Sequence, residues 1–418
     1  MAEKEIIVGL DIGSTAIRLA VGQNVGDDED KIHIIGSAEV PAEGISKGII
    51  SSIEDAVSSI SACLEKAERM VGVPLQTAWV GISGSHIISQ ESQGVVAVAR
   101  SNGEISEDDI ERSIDAARIV ATPPDYEILH VIPKSFTVDG QIGIKDPLGM
   151  TGVRLEVDTQ IIQGLSSQIK NLTKAVYRPG INIEDLVLSI LATSEAVLSS
   201  RQKELGVVVI DVGGATTSMA VFEEGDILHT AVLPVGSDHI TSDIAIGLRI
   251  AIDTAEKIKL EYGSATTDKI SKKDEIDIGE LEGRESNFVS KKYVVEITEA
   301  RVEEILDKVD AELKKIDKSG KLPAGVILTG GGAKLNGLVD ATKKNLRLPA
   351  NLGKTFNITS AIDKINDPAF STAIGLVIWG SQLVGQKRGG GLGKLLNNLP
   401  NLKGLTNQGK KWFKKIIP

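Results

Sequence analysis

Short apolar runs broken by Gly, Asp and hydroxyl residues dominate the first fifth of the chain. An apolar run at 6–10, a turn at 11–15 and a second run at 17–21 predict a strand, a tight turn and a strand. A Gly/Asp-rich stretch at 22–30 precedes another strand at 32–35. At 50–70 the period changes, and Ile53, Val57, Ile60 and Leu64 fall on one helical stripe. A strand at 77–82 then ends at Ser83-Gly84-Ser85. Residues 84–164 read as a compact unit. Ser106 caps a helix whose first turn holds Glu107, Asp108 and Asp109, the charges a helix N-terminus favours, and Pro123-Pro124 stops it. Strands follow at 127–138 and 152–162, the second alternating Val153, Leu155, Val157, Thr159 and Ile161.

The second half predicts a helix near 165–176, a strand at 186–191, a helix at 194–204, and a strand at 207–210 that opens a second strand-turn-strand. Residues 241–262 and 298–317 carry helical spacing, while 264–292 are polar and suit loops with short strands. A strand at 326–328 runs into Thr329-Gly330-Gly331-Gly332. Residues 367–380 form a helix dense in small residues, and Gly389 to Gly391 with Gly393 read as a linker.

At 418 residues the chain is too long for one core. Abundant Gly and few aromatics suit an α/β protein with many tight turns. No apolar run reaches the roughly 18 residues of a spanning helix, and the acid-bearing N-terminus does not read as a signal peptide. Cys63 is the only cysteine, on an apolar helical stripe with Ala56, Ile60 and Ala67, so it reads as a buried thiol in a cytoplasmic protein. The histidines, His33, His86, His130, His229 and His239, have no metal-ligand spacing. The net charge of −11 conceals an asymmetry: eight Lys or Arg and no acid follow Asp367, leaving −19 on residues 1–367. So acidic a body argues against nucleic acid as partner.

The chemistry is carried by a repeat. VGLDIGSTAIRLAV (8–21) and VIDVGGATTSMAV (209–221) superpose at an offset of 200, Asp11 on Asp211 and Gly13 on Gly213. Gly lets a backbone turn bring its N–H groups to phosphate oxygens. Ser14, Thr15, Thr216 and Thr217 add hydroxyl donors. Carboxylates cannot face bare phosphate, so Asp11 and Asp211 imply a cation between, and Mg²⁺ is commonly held through waters by one or two carboxylates plus phosphates. The chain stays extended after each turn, unlike a Walker loop or a Rossmann fingerprint, both of which enter a helix. Gly330, Gly331 and Gly332 suit close approach to a flat ring and ribose. Glu256 and Lys259, three apart on one helix face, either contact a nucleoside or pair with each other in solvent.

Two Asp-x-Gly hairpins, a triple-glycine loop and two small-residue helices (190–198 and 371–380) resemble the five segments of the actin/chaperone/sugar-kinase ATPase superfamily across residues 5–385. The resemblance implies an α/β, actin-like two-lobed ATPase fold of duplicated ribonuclease-H-like domains. It implies ATP with Mg²⁺ in a cleft: Asp11, Gly13, Ser14 and Thr15 as one phosphate loop, Asp211, Gly213, Gly214 and Thr216 as the other. Glu256 and Lys259 match ribose contacts, Gly330 to Gly332 the adenosine loop, and Glu195 a hinge-helix position where a carboxylate orients water. Where actin has a lysine shortly after its first loop, Arg18 stands three residues past Thr15; strand alternation can point it away, and its reach to phosphate is open.

Within the superfamily, VGISGSHIISQESQGVVAVA (80–99), IERSIDAARIV (110–120), residues 130–158, PVGSDHITSDIAIGL (234–248) and the basic tail resemble the FtsA family of bacterial division proteins. That resemblance implies a first-lobe subdomain (1–83, 165–193, 365–385) with an FtsA-type insert at 84–164. It implies a second lobe of 194–236 and 297–364 with a small subdomain at 237–296, a linker at 386–407 and a membrane helix at 408–418. It also implies filaments through self-association, binding of the FtsZ C-terminal peptide and of other division proteins, a place on the cytoplasmic face of the membrane at the division site, and at most slow ATP hydrolysis. In the tail, Trp412, Phe413, Ile416 and Ile417 form an apolar face flanked by Lys410, Lys411, Lys414 and Lys415, the pattern of a helix lying on anionic lipid. A helix docked back on the body is the competing reading, and four lysines have little use there. A pilus or secretion assembly-platform ATPase of the same fold is the alternative function; it would lack this tail.

Overall fold

The structure is a computed structural model that describes residues 6–24, 31–121, 123–268, 270–271, 273–356, 358–360 and 362–388. The expected membrane helix at 408–418 and most of the expected linker lie outside these residues.

Two sheets of the same design make the two lobes. In the first, the antiparallel strands Ile6–Ile12, Ala16–Asn24 and Ile32–Pro41 are flanked beside Ile6–Ile12 by the parallel strands Thr77–Ile82 and Asn182–Leu188, and beyond Ile32–Pro41 by Ile358–Ser360. In the second, Val207–Val212, Thr217–Glu223 and Asp226–Leu233 repeat the antiparallel trio, with Gly325–Thr329 and Ala350–Leu352 in the parallel positions. The sequence repeat is therefore a repeat of whole sheets. Strands such as Val207–Val212 are buried almost throughout, as expected where helices cover both faces.

Two helices cross between the sheets, Ser189–Val197 and Ser371–Arg388. Their closeness depends on Gly375: a Cβ there would lie 1.9 Å from the Ala192 carbonyl oxygen. Between Thr77–Ile82 and Asn182–Leu188 the chain builds a separate four-stranded antiparallel sheet in the order Ile87–Ala97, Arg154–Leu165, Tyr126–Val138, Gln141–Ile144, with the helix Glu107–Ala121 packed on it. Asp109 takes both the N–H and the Oγ–H of Ser106 at the start of that helix, so the Ser106 hydroxyl donates to the first turn while its carbonyl accepts the Ile110 N–H.

Several expected boundaries shift. The apolar run at 186–191 stops being strand at Leu188 and turns helical at Ser189, because a run buried on all sides has no period to read. The expected helix at 194–204 is two: Ser200–Leu205 starts anew at a capping box between Ser199 and Gln202. Helix 241–262 divides into Ser237–Leu248 and Ile252–Tyr262 at Arg249, whose φ of 56° is left-handed. The helix expected from 298 begins at Lys291, and Ser371–Arg388 runs three residues into the expected linker. Cys63 is buried, its thiol turned to the Ile17 carbonyl, and burial pushes its pKa up to about 12.

Candidate functional site

Between the paired Ile12 and Ile17 the first hairpin turns through four residues, Gly13 to Ala16, and this register sets Asp11 opposite Arg18 and Arg18 in turn opposite Glu39 on the third strand. Side chains directly opposite share a face. Arg18 therefore points the same way as Asp11, toward the cleft, with its guanidinium bonded to Glu39 at 2.8 Å and resting 5.9 Å over the Phe370 ring. Ser14 Oγ accepts the Gly48 amide at 3.0 Å, which pins the turn from behind.

The second hairpin faces it. Asp211 lies opposite Ser218 on one side and Thr329 on the other. Thr372, from the second hinge helix, donates to Asp211 Oδ2 at 3.3 Å. The triple-glycine loop passes tightly over this carboxylate: Gly330 has φ +86°, and a Cβ on it would sit 2.2 Å from Asp211 Oδ1. Gly331 has nothing within 4 Å of a Cβ position and leaves its backbone open to the cleft. The hydroxyls of Ser83 and Ser218 meet across the lobes at 3.2 Å.

Burial governs the electrostatics. It raises the Asp11 carboxyl to about 7, against the pull of Arg18 and with a further push from Asp211. Asp211 is raised to about 6 for the same first reason, offset by the Thr372 hydrogen bond and by Arg18. Two carboxylates stripped of water on facing loops call for a cation. Among the described residues no group of three or more His, Cys, Asp or Glu could cage a bare ion. Two carboxylates do suit a hydrated Mg²⁺ whose other ligands are phosphate oxygens, and the donor set fits that group.

At the far end, Lys259 is only 6% exposed and reaches Glu256 at 2.7 Å, Thr241 Oγ1 at 2.9 Å and the Ser237 carbonyl at 3.4 Å. The pair is thus formed, with the lysine end buried and the Glu256 carboxylate partly open to solvent. Asp11, Gly13, Ser14, Thr15, Asp211, Gly213, Gly214, Thr216, Glu256, Lys259 and Gly330 to Gly332 all line one cleft of about 470 Å³ between the lobes. Glu195 does not. Its carboxylate is held by Lys203 at 2.9 Å, and Ser189, six residues earlier on the same helix, lines the cleft instead. The water-orienting role expected of Glu195 has no geometry behind it. Sequence reading also passed over Ser83, Ser218 and Thr372. Ser218 was within reach, since the 200-residue offset sets it on Arg18.

Two family models match the chain: "Cell division protein FtsA" over residues 208–375 and the "SHS2 domain inserted in FTSA" over residues 84–163. A cell division protein FtsA of Pseudomonas aeruginosa is 36% identical over 378 residues, covering 90% of each chain. One of Bacillus subtilis is 39% identical over 383 residues, covering 90% of this chain and 84% of the relative. Among solved structures, the PilM–PilN type IV pilus biogenesis complex aligns with a TM-score of 0.67 at 17% identity, over 91% of this chain and 99% of that one. MreB5 of Spiroplasma citri bound to ADP aligns at 0.54 and 14% identity, over 92% and 99%. Likenesses this distant in sequence show the fold alone, an actin-like two-lobed architecture.

Proposed function

The chain belongs to the FtsA family of cell division proteins, and from that premise we propose that it is a self-assembling, nucleotide-gated tether. It binds Mg-ATP between its lobes, polymerises, and holds FtsZ filaments at the inner face of the cytoplasmic membrane at the division site.

The observation that carries the nucleotide part is the convergence of Asp11 and Asp211, from two copies of one hairpin, on a single cleft. Asp11 and Asp211 would hold a hydrated Mg²⁺, which supplies the positive charge that burial leaves missing around them. The turns at 13–15 and 213–216 offer N–H and O–H donors to phosphate oxygens. The open backbone at Gly331 and the Glu256–Lys259 pair flank the nucleoside end. Beside Asp11, Asp211, Asp238 and Arg18, which bonds Glu39, the phosphate end is lined by hydroxyls and backbone. That composition supports slow hydrolysis at most, with nucleotide serving to hold the lobes together.

The FtsZ C-terminal peptide is placed in the second lobe within 237–320. That placement rests on the family and on the helices Ser237–Leu248 and Ile252–Tyr262, which expose Ile246, Ile252 and Leu260 beside many acids. Attachment is peripheral, through residues 408–418. No helix among the described residues is long and apolar enough to cross a membrane. One such tail binds reversibly, at about 1 kcal/mol for each lysine beside an anionic leaflet, and a filament adds avidity.

Co-sedimentation with anionic vesicles, with and without ATP and the FtsZ C-terminal peptide, tests the whole reading. Full-length protein pellets with vesicles and draws the peptide down; deletion of 408–418 abolishes both. Undiminished pelleting of the deletion would overturn the tether.

A further inference from the structure

The inserted unit stands with one foot on each lobe. Its root is in the first: Leu129, Ile132 and Ile162 belong to the large core that fills the first lobe and extends to Phe222 and Ile227 of the second, while Ile105, Phe136, Leu155 and Val157 form a small core of its own further out. His130 Nε2 accepts the Leu188 N–H at 2.9 Å. Leu188 ends the edge strand Asn182–Leu188, immediately before the hinge helix Ser189–Val197, and the His130 ring lies edge-on to Trp379 of the other hinge helix, 6.0 Å between centroids. The root therefore combines apolar burial with a buried hydrogen bond at the hinge.

The second foot differs in kind. It rests on Asp226–Leu233, the edge strand of the second lobe's sheet. Thr230 donates to Ser89 Oγ at 3.2 Å, and the same Ser89 oxygen takes the Gln160 side-chain amide. Lys145 pairs with Asp226. The carbonyl oxygen of Gln160 is buried there with no partner. The side-chain contacts here are hydrogen bonds and an ion pair around an acceptor left unsatisfied, and such contacts part and re-form at small net cost. A rotation of the second lobe about the hinge helices would carry Asp226–Leu233 past an insert rooted in the first lobe.

We infer that the insert is a latch on lobe closure: the Ser89–Thr230 and Lys145–Asp226 contacts form when nucleotide closes the cleft, slow its release, and break as the second lobe swings open. The inference rests on the nucleotide reading above, which supplies the closing ligand. It makes the insert, outside the cleft, a sensor of cleft state.

The test is a full-length Ser89→Cys/Thr230→Cys protein. The hydroxyls it replaces are near enough for a disulfide, and the native Cys63 is buried and out of the way. Disulfide formation under mild oxidation is expected to be at least fivefold faster with Mg-ATP than without. The oxidised protein should release a fluorescent ATP analogue at least tenfold more slowly than the reduced one. Lys145→Asp should speed release about threefold, and Lys145→Asp/Asp226→Lys should restore it, which separates the latch from a general folding defect. Equal cross-linking with and without nucleotide, or release rates unmoved by oxidation, would overturn the latch while leaving nucleotide binding intact. Failure of the reduced protein and the parent to bind Mg-ATP would overturn the nucleotide reading, and the latch with it.

Discussion

Thr15 occupies the space that a side chain on Gly214 would need: a Cβ there would lie 2.3 Å from Thr15 Cγ2 and 2.7 Å from Asp238 Oδ2. The two phosphate loops are therefore in contact across the cleft, and the glycine is what lets them meet. Gly214→Val should wedge the loops apart. The expected result is a loss of at least tenfold in Mg-ATP affinity by titration, with the thermal midpoint of the nucleotide-free protein nearly unchanged, because the substitution faces the cleft.

At the hinge the margin is as narrow. Gly375→Ala forces a methyl against the Ala192 carbonyl, and overpacking of this kind typically costs about 1–3 kcal/mol. Urea unfolding of the two proteins, compared at equal m-value, measures it.

The buried carboxyls give the nucleotide-free protein a pH signature. Asp11 and Asp211, raised to about 7 and 6, bind their protons more tightly folded than unfolded. Their contribution to stability is complete below the unfolded value near 3.8 and is lost as pH rises through 6 to 7. Each tenfold preference for the protonated folded state is worth about 1.4 kcal/mol. Without magnesium, the parent should lose more stability between pH 5 and pH 8 than Asp11→Asn does, in denaturant titrations run in parallel. An equal slope in the two proteins would show that Asp11 is ionised before the metal arrives.

Glu195→Gln should leave any nucleotide hydrolysis within twofold of the parent in single-turnover phosphate release. The carboxylate is spent on Lys203, away from the cleft. A tenfold fall would return Glu195 to the chemistry.

Much of this site is legible in the sequence because its chemistry restricts residue types at fixed spacing. Asp11 and Asp211 announce themselves through the glycines two residues on and the apolar strands around them. The orientation of Arg18 was not legible: strand alternation could point it away, and it lies opposite Asp11 only because the pairing closes at Ile12 and Ile17, one residue later than a turn of Gly13, Ser14 and Thr15 would give. What sequence hides is packing between distant segments. Glu195 sits on the right helix, yet its carboxylate is held by Lys203 while Ser189, at the start of that helix, lines the cleft. The break at Arg249 is invisible because a left-handed arginine carries no glycine to mark it. The feet of the insert, Ser89 on Thr230 and His130 on Leu188, join residues 141 and 58 positions apart and leave no local trace.

The most direct test of the account is calorimetric titration of ATP into the parent and into Asp211→Asn, each with magnesium and with a chelator. The account predicts tight binding by the parent only when magnesium is present, and in Asp211→Asn a loss of at least tenfold in affinity together with the loss of the magnesium dependence. Binding by Asp211→Asn as tight and as magnesium-dependent as the parent's would contradict it.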